Sequence, residues 1–181
     1  MNHSAIAVLL LVAASAIPAS AEETEKIGDW VVDTRPQAAT AGASPLCVLA
    51  SPVEGTEPRF WLTNKIDDRD GALGDAVLQL VLDGETSATA GEYEARIDIA
   101  GQSSWNITGQ ATARENGGVV VTFNLPVRVD EAVRYIRRGA DVTFSFGGSN
   151  DLSGDYKVPL KGSGRAGEAF IKCLAKVVPT I

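Results

Sequence analysis

The 181-residue sequence has very little of the chemistry on which most enzymes depend. It contains a single histidine, His3, and only two cysteines, Cys47 and Cys173. Because His3 lies in a segment that we expect to be removed, the remaining chain is without Ser-His-Asp or Cys-His catalysis, histidine-ligated zinc and imidazole pH switching. The G-x-S-x-G and S-x-x-K motifs of common serine hydrolases are also absent from the sequence. Any catalysis would have to use carboxylates, lysine, serine or tyrosine.

Long hydrophobic runs are lacking too, except near the start of the chain. The apolar stretch at residues 5–17 is shorter than the ~20 residues that a membrane-spanning helix needs. Ala19, Ser20 and Ala21 then form the small-x-small pattern of a signal peptidase site, although no lysine or arginine precedes the apolar run. We expect residues 1–21 to be a signal peptide, and residues 22–181 to form a single β-rich exported domain with no transmembrane segment after cleavage.

Positive charge is scarce relative to negative charge. The sequence has 16 basic and 23 acidic residues, which gives a net charge of −7, and the expected signal peptide contains none of them. Nucleic-acid binding is largely electrostatic, so an acidic exported protein is a poor candidate for it. We therefore expect no nucleic-acid partner, and we interpret the net charge as an aid to solubility.

The two cysteines have a simple interpretation in an exported protein. An isolated pair in an oxidising compartment typically forms a disulfide, here between Cys47 and Cys173, which would close a loop of about 125 residues. The alternatives are a reactive thiol or a pair of metal ligands. Two soft ligands without histidine make a poor zinc site, so we expect no metal and no cofactor.

Apolar and polar residues alternate with a period of two over much of the chain, which predicts β-strands. The segment 76–82 is apolar on nearly both faces, as in a central strand. The other predicted strands are residues 29–34, 46–51, 60–64, 93–99, 104–108, 119–125, 142–146 and 155–160. No strand-helix repeat is present, so the fold class is mainly β: an antiparallel β-sandwich or open barrel.

Two short helices are predicted, the last at the C-terminus. The first is capped by Asp130 and ends at Gly139. The second begins near Ser163 and carries an apolar stripe that includes Phe170 and Cys173. Cys173 is therefore expected on the buried side, where the disulfide would join the last helix to the strand that contains Cys47.

Three groups of residues suggest sites, and each has a simpler structural interpretation. Residues 162–167 match G-x-G-x-x-G, but no second strand follows to complete a dinucleotide site, so a tight strand-to-helix turn is the better interpretation. The acidic cluster at residues 67–70 lacks carboxylates at the end positions of a calcium loop and is interpreted as a solvated turn. Trp30, Trp61 and Trp105 form a candidate binding surface, although tryptophans in strands more often belong to the core.

Several short motifs resemble those of a known family. Residues 27–32 read Ile-Gly-Asp-Trp-Val-Val and are followed by Cys47. Residues 129–144 contain a short helix with Arg-Gly before a strand. Residues 158–163 lead into a helix that carries Ala166 and Ala169. In these features the chain resembles the invasion-associated locus B family of exported bacterial proteins. No cysteine occurs at residues 31–34, so the resemblance is to a distant member. It implies an exported, β-rich cell-envelope protein, and it carries no catalytic residues.

Two functional hypotheses follow from the sequence. The first is a periplasmic or secreted protein that binds an unidentified protein or envelope component and is not an enzyme. The alternative is a histidine-free periplasmic hydrolase that uses paired carboxylates. The sequence identifies neither the partner nor the oligomeric state. Two facing buried carboxyl groups in a concave pocket would favour the hydrolase.

Overall fold

The computed structural model describes residues 23–35, 46–52, 58–66, 73–82, 89–115, 117–147 and 152–177. The described residues form ten strands and two helices. The strands are β1 (Glu23–Ile27), β2 (Trp30–Arg35), β3 (Leu46–Pro52), β4 (Pro58–Ile66), β5 (Leu73–Leu82), β6 (Gly91–Ile99), β7 (Ser103–Ala113), β8 (Val119–Arg128), β9 (Asp141–Gly147) and β10 (Ser153–Pro159). The helices are α1 (Val129–Arg138) and α2 (Ser163–Val177).

All ten strands belong to one antiparallel sheet with the order β1-β2-β3-β4-β5-β8-β7-β6-β9-β10. The mainly β prediction is confirmed in its open-barrel form, because the sheet is curled into a half-barrel. Phe60 on β4 and Phe144 on β9 show the curl most clearly. They stand five positions apart in the strand order, yet their ring centroids are only 6.5 Å apart. A flat sheet would separate the two strands by about 24 Å.

Strict alternation places one side of each strand inside the curl. On β8, the inward Val119, Val121, Phe123 and Leu125 are buried. The same alternation predicted β6, β8 and β9 from the sequence, and these strands are confirmed with ends that differ by at most three residues. β1 was not predicted, because its four residues Glu23 to Lys26 are polar and exposed at the edge of the sheet.

Both helices cover the inner side of the sheet. α1 contacts β4, β5 and β8, α2 contacts β2 and β3, and the helices contact each other. The prediction that Asp130 caps α1 is wrong. The helix continues directly from β8, so Arg128 occupies the cap position without a side-chain cap, and Asp130 lies in the first turn, where its carboxylate accepts a hydrogen bond from Arg128 Nε at 3.1 Å.

The end of α1 at Gly139 is confirmed, although for a reason that the sequence did not show. Gly139 has φ −72° and ψ 154°, a conformation open to any residue. A Cβ atom at this position would lie 2.7 Å from Ile99 Cγ2 and 3.1 Å from Leu160 Cδ1. Glycine is thus required by the close approach of the helix end to β6 and to the segment before α2.

Gly109 on β7 is a second close approach, and it carries a testable prediction. A Cβ atom there would lie 2.4 Å from Cε1 of the fully buried Phe123. Because this ring is fully buried and also packs against Phe144 and Phe146, Gly109→Ala is expected to lower the free energy of unfolding by about 1–3 kcal/mol. Gly147→Ala is the matched control, since a Cβ atom there meets nothing within 4 Å. Equal denaturant midpoints for the two variants would contradict the packing at Gly109.

The calcium-like cluster at residues 67–70 lies outside the described residues. The same holds for the expected signal peptide, residues 1–21.

Candidate functional site

Cys47 and Cys173 form a disulfide that ties α2 to β3. Their Sγ atoms are 2.00 Å apart, their Cα atoms are 6.0 Å apart, and they are separated by 126 positions in the chain. Cys47 is fully buried and Cys173 is 5% exposed. The hydroxyl of Thr34 on β2 lies 3.3 Å from Cys173 Sγ. The structure thus contains the disulfide that the sequence predicted, on the buried side of the C-terminal helix.

Hydrogen bonds between distant parts of the chain hold the same region in place. Trp30 Nε1 donates to the carbonyl of Lys161 at 2.9 Å, and Ser163 Oγ donates to the carbonyl of Ile136 at 2.9 Å. Cys47 N donates to Oδ1 of the buried Asn64, also at 2.9 Å. The start of α2 is therefore joined to β2 and to the end of α1, while the disulfide fixes its later turns.

The three tryptophans do not form one exposed surface. Trp30 is 1% exposed, and it packs edge-on against Phe60 with ring centroids 6.3 Å apart. Trp61 is half-buried on the outer face of the sheet, because it alternates with the buried Phe60 and Leu62. Trp105 is half-buried on the inner face, where it pairs with the buried Ile97. Trp30 belongs to the core, and the other two lie on opposite faces of the sheet.

Tyr135 of α1 covers Trp105 from the helix side. The two ring centroids are 6.0 Å apart. The Tyr135 hydroxyl also donates a hydrogen bond to Glu131 Oε1. This hydrogen bond, with a smaller contribution from burial, raises the pKa of Tyr135 above its usual value of 10.0. Trp105 and Tyr135 are therefore a packing contact between β7 and α1 at the edge of the core.

The motif at residues 162–167 contains the tight strand-to-helix turn that the sequence predicted. The turn itself is Lys161 and Gly162, and residues 163–167 already belong to α2. Gly162 has φ +85° and lies against the Trp30 ring, where a Cβ atom would be 3.6 Å from Cδ1. A Cβ atom on Gly167 would lie 2.5 Å from Cγ of Arg137 on α1. The first and last glycines of the motif therefore serve the turn and the contact between the two helices.

A groove of about 410 Å³ runs between β1 and α2. Its charged lining residues are Lys26, Arg165, Lys172, Glu25 and Glu168. Glu168 accepts a hydrogen bond from Arg137 Nη2 at 2.7 Å, so part of its charge is already compensated. Within the described residues, the three cations have no ion-pair partner. We call this site the basic groove. The sequence did not reveal it, because its residues come from both ends of the chain.

A second depression, of about 440 Å³, lies on the outer face of β7, β6 and β9. Its lining consists of polar side chains at every second position of the strands, which all face outward. They include Glu94, Arg96, Asn106, Thr108 and Ser145. Arg96 is engaged there, since it lies 3.8 Å from Asp98 and 3.4 Å from Ser104 Oγ. This depression has no aromatic lining residue and no excess of one charge.

The described part of the chain has few groupings of metal-ligating or buried acidic side chains. No group of three or more His, Cys, Asp or Glu residues there is arranged to hold a metal ion. Asp33, 7% exposed, is the one buried carboxylate among these residues. Paired-carboxylate hydrolysis would need a second carboxyl group facing it. None of the helices in the described ranges is long and apolar enough to cross a bilayer.

Comparison with known proteins gives a likeness in structure and none in sequence. No protein-family model and no curated protein sequence matches the chain. Among solved structures, the chain is similar to the invasion associated protein B of Bartonella henselae. The two are 14% identical, the match covers 85% of this chain and 98% of the other, and the TM-score is 0.52. The two proteins share a fold and are distantly related in structure.

Proposed function

We propose that the protein is exported as a disulfide-bonded cell-envelope protein that acts by binding and has no catalytic activity. The observation that carries the proposal is the buried Cys47–Cys173 bond, since such bonds persist in oxidising compartments and are rare in the cytosol. The expected signal peptide at residues 1–21 and the periplasmic or secreted location belong to the same proposal. So does the interpretation of residues 22–181 as one exported domain.

The fold supports the non-catalytic part of the proposal. The structural relative is named for an association with invasion, and no enzymatic activity appears in that name. The hydrolase alternative needs a facing pair of buried carboxylates, and the described residues offer Asp33 alone. An unidentified protein or envelope component is the partner that we propose, and the half-buried Trp61 on the outer face is a proposed contact for it.

Export is tested by altering the expected cleavage site in the native host. Ala19→Leu/Ala21→Leu removes the small side chains that signal peptidase accepts, so the longer precursor is expected to accumulate. Ala13→Leu/Ala14→Leu keeps the apolar stretch and serves as the matched control, which is expected to be cut normally. Immunoblots of cell fractions and the medium report the result. A wild-type protein found uncut in the cytosol would contradict the proposal.

Binding is tested by recovering partners from envelope extracts with the exported, oxidised protein as bait. A specific protein, glycan or lipid is expected to be retained, and its retention is expected to fall when the bait is first reduced and alkylated. Hydrolysis of an envelope polymer by the protein, lost on Asp33→Asn, would instead establish the hydrolase alternative.

A further inference from the structure

The charges of the protein are strongly separated between its helices and the rest of the chain. Eight of the 16 basic residues and three of the 23 acidic residues lie in or just before the two helices. This count includes Arg128, just before α1, and Lys161, just before α2. The remainder of the chain has eight basic and 20 acidic residues. A protein with a net charge of −7 thus carries a pair of helices with excess positive charge.

The structure brings this positive charge to one side of the molecule. α1 and α2 contact each other and pack over the same inner side of the sheet. The end of α1 meets the start of α2, where Gly167 lies against the side chain of Arg137. We call the exposed side of the two helices the basic helical side; its unpaired cations within the described residues are Arg138, Lys161, Arg165 and Lys172, all exposed.

Helix stability does not explain this arrangement. Basic residues are favourable near the C-terminus of a helix, as at Arg137 and Arg138 of α1. Lys161 and Arg165 lie at the opposite end of α2, where the helix dipole favours negative charge, and the first turn has no acidic residue. The helix dipole therefore does not account for the position of these two cations.

We propose that the basic helical side docks the protein onto a bilayer surface of anionic phospholipid headgroups. The proposal rests on the export proposed above, because only then does the protein meet the envelope membranes. The cations are spread along α2, whose 15 residues extend for about 22 Å, so they match a surface of many phosphates better than a single anion.

An exposed apolar side chain favours a membrane over a soluble acidic partner. Ile171 is 37% exposed, and it is the large apolar side chain that stands out from the surface of the described residues. It precedes Lys172 on the outer side of α2, and Ala175 and Lys176 follow on the same exposed side. Long basic side chains around an apolar one suit a headgroup layer, because the charges meet phosphates while the isoleucine reaches the acyl boundary.

The test measures binding of the exported, disulfide-bonded protein to vesicles. Vesicles of mixed phosphatidylglycerol and phosphatidylcholine are expected to bind it, whereas pure phosphatidylcholine vesicles are not. Raising the salt concentration from about 0.05 M to about 0.5 M is expected to abolish binding. Arg165→Gln/Lys172→Gln is expected to weaken binding about 25-fold, at about 5-fold for each charge removed. The matched control is Arg96→Gln/Lys157→Gln, since these residues are 59% and 64% exposed away from the helices; it is expected to change binding by less than about 2-fold.

Poly-glutamate serves as a soluble acidic probe, and comparing it with vesicles distinguishes a membrane from a soluble acidic partner. Ile171→Ser is expected to weaken vesicle binding about 3-fold and to leave any weak poly-glutamate binding unchanged. Equal binding to both kinds of vesicle, no binding to either, or an equal loss in the control pair would overturn the proposal. Tighter binding to poly-glutamate than to vesicles would identify a soluble acidic partner instead. Export with recovery of a partner would still uphold the proposed function in each of these cases.

Discussion

Loss of the Cys47–Cys173 disulfide is expected to lower the free energy of unfolding by about 4 to 5 kcal/mol. The bond closes a loop of 126 positions, so its removal frees most of the unfolded chain. Both sulfurs are buried, and the bond is the covalent link between α2 and β3. Without it, the last helix is held by its packing, by the hydrogen bonds near its start and by the ion pairs Lys176–Glu23 and Arg137–Glu168. We expect α2 to be the first element to detach.

The measurement compares urea unfolding of the oxidised protein, the reduced protein and Cys47→Ala/Cys173→Ala. The reduced protein reports the loss of the bond alone, while the double variant also loses two buried sulfurs. Reductant is expected to leave the double variant unchanged, which controls for effects of the reagent. Hydrogen exchange is expected to be fastest in α2 when the bond is absent. A loss below about 1 kcal/mol would contradict the importance given to the bond.

Phe144→Ala is expected to cost about 3–5 kcal/mol of the free energy of unfolding. The ring is fully buried, and its centroid lies 6.5 Å from that of Phe60 and 5.8 Å from that of Phe123. The contact with Phe60 joins β9 to β4 across the inside of the curled sheet. The contact with Phe123 joins β9 to β8 on the same inner side. Removing the ring therefore leaves a cavity where the two halves of the sheet meet.

Ser145→Ala is the control for this prediction, because the next residue on β9 faces outward and its effect is expected to lie within about 0.5 kcal/mol. Phe144→Leu is expected to cost less than Phe144→Ala, since it refills part of the cavity. The three variants are compared by denaturant midpoints at an unchanged slope. Similar midpoints for Phe144→Ala and Ser145→Ala would show that β4 and β9 do not meet through this ring.

The strands could be predicted from the sequence because they are amphipathic. The order of the strands in the sheet could not be predicted. Alternation identified β8 over residues 119–125, yet nothing in the sequence indicated that β5 pairs with β8 or that β6 pairs with β9. These pairings bring together residues far apart in the chain, and many registers satisfy the same alternation. β1 was missed for the opposite reason, since an exposed edge strand has no buried face to mark it.

The disulfide could be predicted from the sequence, and the basic groove could not. Only one pairing is open to two cysteines, and the apolar stripe of α2 placed Cys173 on its buried side. The basic groove depends on β1 lying beside α2, which brings Lys26 to Arg165 and Lys172. The net charge of −7 over the whole chain conceals this local excess of cations. From the sequence, the net charge therefore indicated only an effect on solubility.

Mass spectrometry of the protein isolated from its native host tests the disulfide and the export together. Cys47 and Cys173 are expected to be covalently linked in a chain that has left the cytosol. The expected N-terminus is Glu22, and no alkylating reagent is expected to be taken up until the protein is reduced. A chain that still begins at Met1, with two alkylated thiols, would contradict both the compartment and the link between β3 and α2.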